Sequence, residues 1–186
     1  MIWLLRHGET EWNRDGRLQG RFDSPLTQRG VQQAQAMSDL LLRDLGMSPE
    51  IRLVASPRAG AIATAMIVAR TLNLDLETDQ RLVEITMGAW DGMTRDEIAA
   101  AHPEIDRSQA DWHLGAPDCE KLSEVRARIA SFLGEIDGPT IVVAHGLSGK
   151  ILRGVYLGLD DAAALRLYER QDAVFLLDQG TEQELR

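Results

Sequence analysis

The chain has 186 residues, 44% hydrophobic and 26% charged, which is the balance of a folded domain and not of a disordered tract. A domain of this length buries roughly 70% of its unfolded surface and needs no staple, and the single Cys119 excludes a disulfide framework and a Cys-rich zinc site. A formal net charge of −9 argues against nucleic acid or an anionic membrane as the main partner.

In chain order, Ile2–Leu5 is a continuous apolar run, as expected of a strand covered on both faces. Thr27 is placed to cap a helix running to about Asp44, with Val31, Ala34, Met37, Leu41 and Leu45 near helical spacing. Ile51–Ala55 reads as a second buried strand. A helix then runs from about Ala59 to Leu72, with Ile62, Met66, Ala69 and Leu72 on one side. Shorter helices are expected over Thr94–Ala101, Ser123–Ile136 and Gly146–Leu157, and strands over Thr140–Ala144 and Ala173–Leu177. No linker or repeat divides the sequence, so one domain spans 1–186. The alternation predicts an α/β fold, a three-layer α/β/α sandwich with a mostly parallel central sheet. No run is long enough for a bilayer span, and MIWLLRHGET lacks a cationic leader, so a cytoplasmic protein is expected.

Sheets of this kind bind ligands beyond the carboxyl ends of their strands, close to helix N-termini. Two histidines stand there, His7 after Ile2–Leu5 and Arg6, and His145 after Thr140–Ala144. Each is followed by a glycine, Gly8 or Gly146, read as permitting close approach of backbone to a ligand. Arg6 beside His7 is expected to lower the imidazole pKa by like-charge repulsion, favouring the neutral, nucleophilic form. The same guanidinium can grip two phosphate oxygens in fork geometry. Together these residues suggest phosphoryl transfer through a phosphohistidine. His102 and His113 lie in polar segments and are assigned no chemistry.

The stretch Arg6-His7-Gly8-Glu9-Thr10, with Asn13, Arg17, Gln19 and Gly20, resembles the opening signature of the histidine phosphatase superfamily, in the branch of the cofactor-dependent phosphoglycerate mutases and their smaller phosphatase relatives. Asp23-Ser24-Pro25-Leu26-Thr27, the block from Leu82 to Gly92, and Val143-Ala144-His145-Gly146 continue the resemblance in order. It implies a phosphoglycerate mutase-like fold, with His7 as the phosphorylated nucleophile and Arg6 holding the transferring group. His145 would be a second phosphate-pocket histidine, and the Leu147 N–H would point the start of a helix at the phosphate. Glu84 would protonate the leaving alkoxide and then activate water, with Trp90 or Met87 supplying a dry wall. Asn13 would touch the phosphate, while Gln19 and Gly20 would line the substrate side. The mechanism implied needs no metal or other cofactor.

The pattern breaks twice. The family's second phosphate arginine falls here on Gly60, and an arginine stands two places earlier, so Arg58 is expected to swing into the pocket in its place. Asp118, Cys119 and Lys121 replace small residues of a segment that usually covers the substrate, and are expected to affect specificity. The chain has little room for the insertions that shield phosphohistidine from water in the mutases. The reading is therefore a metal-independent phosphatase acting on a small phosphomonoester, as a monomer or homodimer. Its alternatives are a mutase and a catalytically weakened phosphoryl-ligand-binding protein.

Overall fold

A computed structural model describes residues 1–45, 50–109 and 111–186. Six strands form one sheet: β1 (Ile2–Arg6), β2 (Arg52–Ala55), β3 (Leu76–Thr78), β4 (Thr140–Ala144), β5 (Val174–Asp178) and β6 (Thr181–Leu185). Their spatial order is β3-β2-β4-β1-β5-β6. The first four run parallel, β5 pairs antiparallel with β1, and β6 antiparallel with β5. The helices are α1 (Glu11–Arg14), α2 (Gln28–Asp44), α3 (Ala59–Leu72), α4 (Arg95–Ala101), α5 (Leu122–Gly134), α6 (Gly146–Tyr156) and α7 (Asp161–Leu165).

Side chains alternate across each strand, which divides the core into two halves. Ile2, Leu4, Val142, Ala144 and Leu177 face Val125, Ile129 and Phe132 of α5 and Ile151 and Leu152 of α6. Trp3, Leu5, Leu53, Ile141 and Val143 face Met37 and Leu41 of α2 and Ala61, Ala65 and Val68 of α3. Each large side chain so buried contributes about 1.5–3 kcal/mol. The three-layer sandwich expected from the alternation is present. Two helical registers differ from expectation, since Val31 and Met66 are exposed. Helix α3 is apolar nearly all round, so its pattern fixes no phase; it turns Gly60, Ala61, Thr64 and Ala65 inward, small residues that permit close packing. A third cluster, Met87, Trp90, Ile98 and Ala116, lies under the loops and roofs one side of the strand ends.

Candidate functional site

His7 extends the β1–β4 ladder one residue past the strand, its N–H donating to the Ala144 carbonyl at 3.0 Å. His145 follows Ala144 directly and is the residue before α6. The two imidazoles therefore emerge from adjacent parallel strands. Their ring centroids are 5.0 Å apart at 70°, and both rings are buried.

The hydrogen bonds fix what each ring can do. His7 Nδ1 lies 2.8 Å from the Gly8 carbonyl oxygen, which can only accept, so Nδ1 carries the proton and the lone pair is on Nε2. His145 Nε2 lies 2.8 Å from Ser56 Oγ. Ser56 is fully buried and receives the Arg58 backbone N–H at 3.4 Å, and His145 Nε2 is its one acceptor among the described residues. The serine hydroxyl therefore donates to Nε2, leaving the His145 proton on Nδ1 as a donor. Both imidazoles are held neutral. Burial, then the neighbouring His145, then the Arg6 charge push the His7 pKa well below its usual value. Burial, then Arg6 and Arg58, pull His145 down to about 3. The like-charge effect expected of Arg6 on His7 is thus present, behind the loss of hydration and the neighbouring His145.

Glu84 reaches the same place from the loop before Met87. Its Oε1 accepts the N–H groups of Ile85 and Ser148 at 2.9 Å, and its Oε2 accepts that of Leu147 at 3.0 Å. His145 makes no side-chain cap for α6, so this carboxylate satisfies amides the helix would leave orphaned. The Leu147 N–H expected to meet a phosphate is engaged by Glu84 in this structure.

A cavity of about 370 Å³ opens above the strand ends, lined on its inner side by Arg6, His7, Asn13, Gln19, Glu84 and His145. Arg6 Nη1 donates to Glu169 Oε1 at 2.8 Å, while Arg6 Nε is buried without a partner. Asn13 Oδ1 accepts the Thr10 N–H at 3.2 Å and Gln171 Nε2 at 2.9 Å. Gln19 Oε1 accepts the Thr10 hydroxyl at 3.3 Å and its Nε2 has no partner. Buried polar groups are rarely left unpaired. Here Arg6 Nε, Gln19 Nε2, His113 Nε2 and Glu169 Oε2 all belong to residues lining one cavity.

Gly20 is not on the cavity wall. It has φ +51°, and a Cβ there would sit 1.7 Å from Asp91 Oδ1. The glycine makes room for a buried carboxylate that accepts from Thr86 Oγ1 and Met87 N and so braces the Glu84 loop. Gly8 likewise faces protein, since a Cβ there would meet the Gly30 carbonyl, whereas Gly146 lines the cavity as expected, beside the Glu169 carboxylate that a Cβ would meet. Arg58 stands just before α3, half-buried and outside the residues lining the cavity, with its Nε unpartnered. Its charge nonetheless reaches His145. Position 60 lies against the nucleophile candidate, since a Cβ on Gly60 would be 3.4 Å from His7 Nδ1.

Sequence reasoning missed Ser56, Glu169, Gln171 and His113. The polar setting of His113 suggested no chemistry, yet it is buried on the cavity wall, and desolvation lowers its pKa. The wall it shares with Trp112 and Gln109 also carries Arg17, Arg95 and Lys150. Met87 lines the cavity as expected, whereas Trp90 packs behind it on Trp112. Among the described residues no group of three His, Cys, Asp or Glu side chains could hold a metal ion, and no helix is long and apolar enough to cross a membrane.

Residues 2–183 match the family model of the histidine phosphatase superfamily, branch 1. A Salmonella paratyphi A protein named "Probable phosphoglycerate mutase GpmB" is 33% identical over 184 residues, covering 95% of this chain and 84% of that protein. A solved mycobacterial glucosyl-3-phosphoglycerate phosphatase in complex with VO3 is 28% identical, with a TM-score of 0.78 over 94% of this chain and 90% of its own. The Bacillus stearothermophilus protein YhfR is 31% identical, with a TM-score of 0.79 over 98% and 93% of the two chains.

Proposed function

Because the chain belongs to the histidine phosphatase superfamily, we propose that its cavity hydrolyses a small phosphomonoester through a phosphohistidine on His7. The observation that carries this reading is the pair of buried, neutral imidazoles 5.0 Å apart, one presenting a lone pair on Nε2 and the other a proton on Nδ1. His7 Nε2 attacks phosphorus, and the bond to the leaving oxygen breaks as Glu84 delivers a proton to it. Water, deprotonated by Glu84, then attacks the phosphohistidine, releasing phosphate and restoring His7. Arg6 and the His145 Nδ1–H stabilise the phosphoryl oxygens, with Asn13 adding a polar contact and Arg58 acting only through its charge from outside the cavity lining. Preorganised charge of this kind is usually the largest catalytic contribution.

Hydrolysis is favoured over transfer to a second hydroxyl because solvent reaches the mouth of the site, where the Arg6 and Glu169 side chains stay 23% and 31% exposed. The positive charges come from the chain itself, so turnover proceeds without an added metal. The partner on this reading is a small phosphorylated metabolite in the cytoplasm, and neither nucleic acid nor membrane. Release of phosphate from an aryl phosphate in EDTA, lost in a folded His7→Ala variant, is the expected result. A His7→Ala enzyme that still turns over would contradict it.

A further inference from the structure

Among the described residues Glu169 is the one carboxylate paired with Arg6, and nothing in the chemistry above uses it. Its Oε1 takes the Arg6 Nη1 hydrogen at 2.8 Å, and its Oε2 is buried with no partner. The carboxylate lies over the first residue of α6: an ideal Cβ on Gly146 would be 2.8 Å from Oε2 and 3.4 Å from Arg6 Cζ. The segment that carries it is fastened on both sides. The Tyr168 carbonyl accepts from the buried Arg153 Nη1 at 2.5 Å, and Gln171 Nε2 donates to the His7 carbonyl at 3.4 Å and to Asn13 Oδ1 at 2.9 Å. Glu169 is therefore a built part of the cavity wall, 163 residues from Arg6 in sequence.

We propose that Glu169 is a built-in competitor for Arg6, which keeps the anion site from holding inorganic phosphate and so hastens release of the product. This rests on the phosphatase reading and deepens it. At the inner wall of the cavity the charge of Arg6 is opposed by that of Glu169, its ion-pair partner at 2.8 Å, and both histidines are neutral. A free phosphate dianion entering there meets a fixed negative charge on the guanidinium it needs, in surroundings where charge–charge interactions are stronger than in water. A metaphosphate-like transition state has passed part of its negative charge to the leaving oxygen, so the same carboxylate opposes it less. The penalty thus falls chiefly on tightly bound ground states, the product among them.

Glu169→Gln keeps the shape and an acceptor for Arg6 Nη1 and removes only the charge. Calorimetric titration with inorganic phosphate, which needs no turnover, should show about tenfold tighter binding in the variant than in the wild type, about 1.4 kcal/mol. Phosphate should become the stronger competitive inhibitor by the same factor. Glu169→Ser, too short to bridge to Arg6, should shift binding in the same direction and serves if the glutamine variant is unstable. Unchanged or weaker phosphate binding in both variants would overturn the proposal, weaker binding showing that Glu169 only holds Arg6 in place. Phosphate binding to none of the three proteins would remove the anion site itself, whereas tighter binding in the variant beside a wild type that hydrolyses no phosphomonoester would keep the anion-site inference and refute the phosphatase.

Discussion

Replacing Ser56 with Ala separates a positioning hydrogen bond from the catalytic groups. The substitution removes one oxygen from a fully buried position and leaves His145 Nε2 without its partner at 2.8 Å. Leaving a buried polar nitrogen unsatisfied costs about 1–3 kcal/mol of stability. The larger consequence is on the tautomer. Without a hydroxyl donating to Nε2, the proton is no longer confined to Nδ1, and the donor facing the phosphoryl oxygens is lost in part of the population. A charge-assisted hydrogen bond is worth about 1.5–3 kcal/mol, so kcat should fall roughly ten- to hundredfold with a smaller change in KM. Nitrogen-15 spectra of histidine-labelled protein read the tautomer directly. They should show His145 protonated at Nδ1 in the wild type and redistributed in Ser56→Ala, with His7 unchanged. A His145 protonated at Nε2 in the wild type would refute the reasoning, whatever the activity.

Further outcomes follow from the same geometry. Arg58→Ala should lower kcat/KM by roughly ten- to hundredfold if its guanidinium holds the transferring group, and unchanged kinetics would place Arg58 outside the reaction. The buried neutral histidines make the fold acid-sensitive. In the unfolded chain they take up protons below pH 6.5, whereas in the native state they stay neutral far below it, so stability falls as pH falls through this range. The ion-paired carboxylates such as Asp79 and Glu77, also depressed, lose their contribution only below about 3.8 to 4.5. Between those limits thermal unfolding should drop with acidification in the wild type and more gently in His145→Asn; equal slopes would contradict the assignment. Incubation with 3-phosphoglycerate should yield no 2-phospho isomer, and its accumulation would favour the mutase.

Much of the frame was legible because it depends on local pattern. The four apolar strands and the five longer helices follow from continuous runs and capping residues, while the short α1 and α7 do not, and the two histidines mark the strand ends without any knowledge of tertiary contact. Strand β3 is short with two exposed residues, and β6, TEQEL, is polar at the sheet edge, so neither carries an apolar signal. The rest of the site is set by distant parts of the chain. Glu169 and Gln171 matter through contacts with Arg6 and Asn13, and no periodicity links those positions. His113 sits in a 3-10 turn and is buried on the cavity wall, a placement its polar sequence neighbours do not show. Of the glycines after the histidines, Gly146 lines the cavity, whereas Gly8 makes room for the Gly30 backbone, a crossing of the chain on itself that no local pattern shows.

The central claim is a covalent phosphorus–nitrogen bond on one ring. Enzyme mixed with a radiolabelled phosphomonoester and quenched in alkali within milliseconds should carry label that is stable to base, lost in acid, and located on the peptide containing His7. Label on a serine or on His145, or turnover with no labelled enzyme under conditions that slow the second step, would contradict the account.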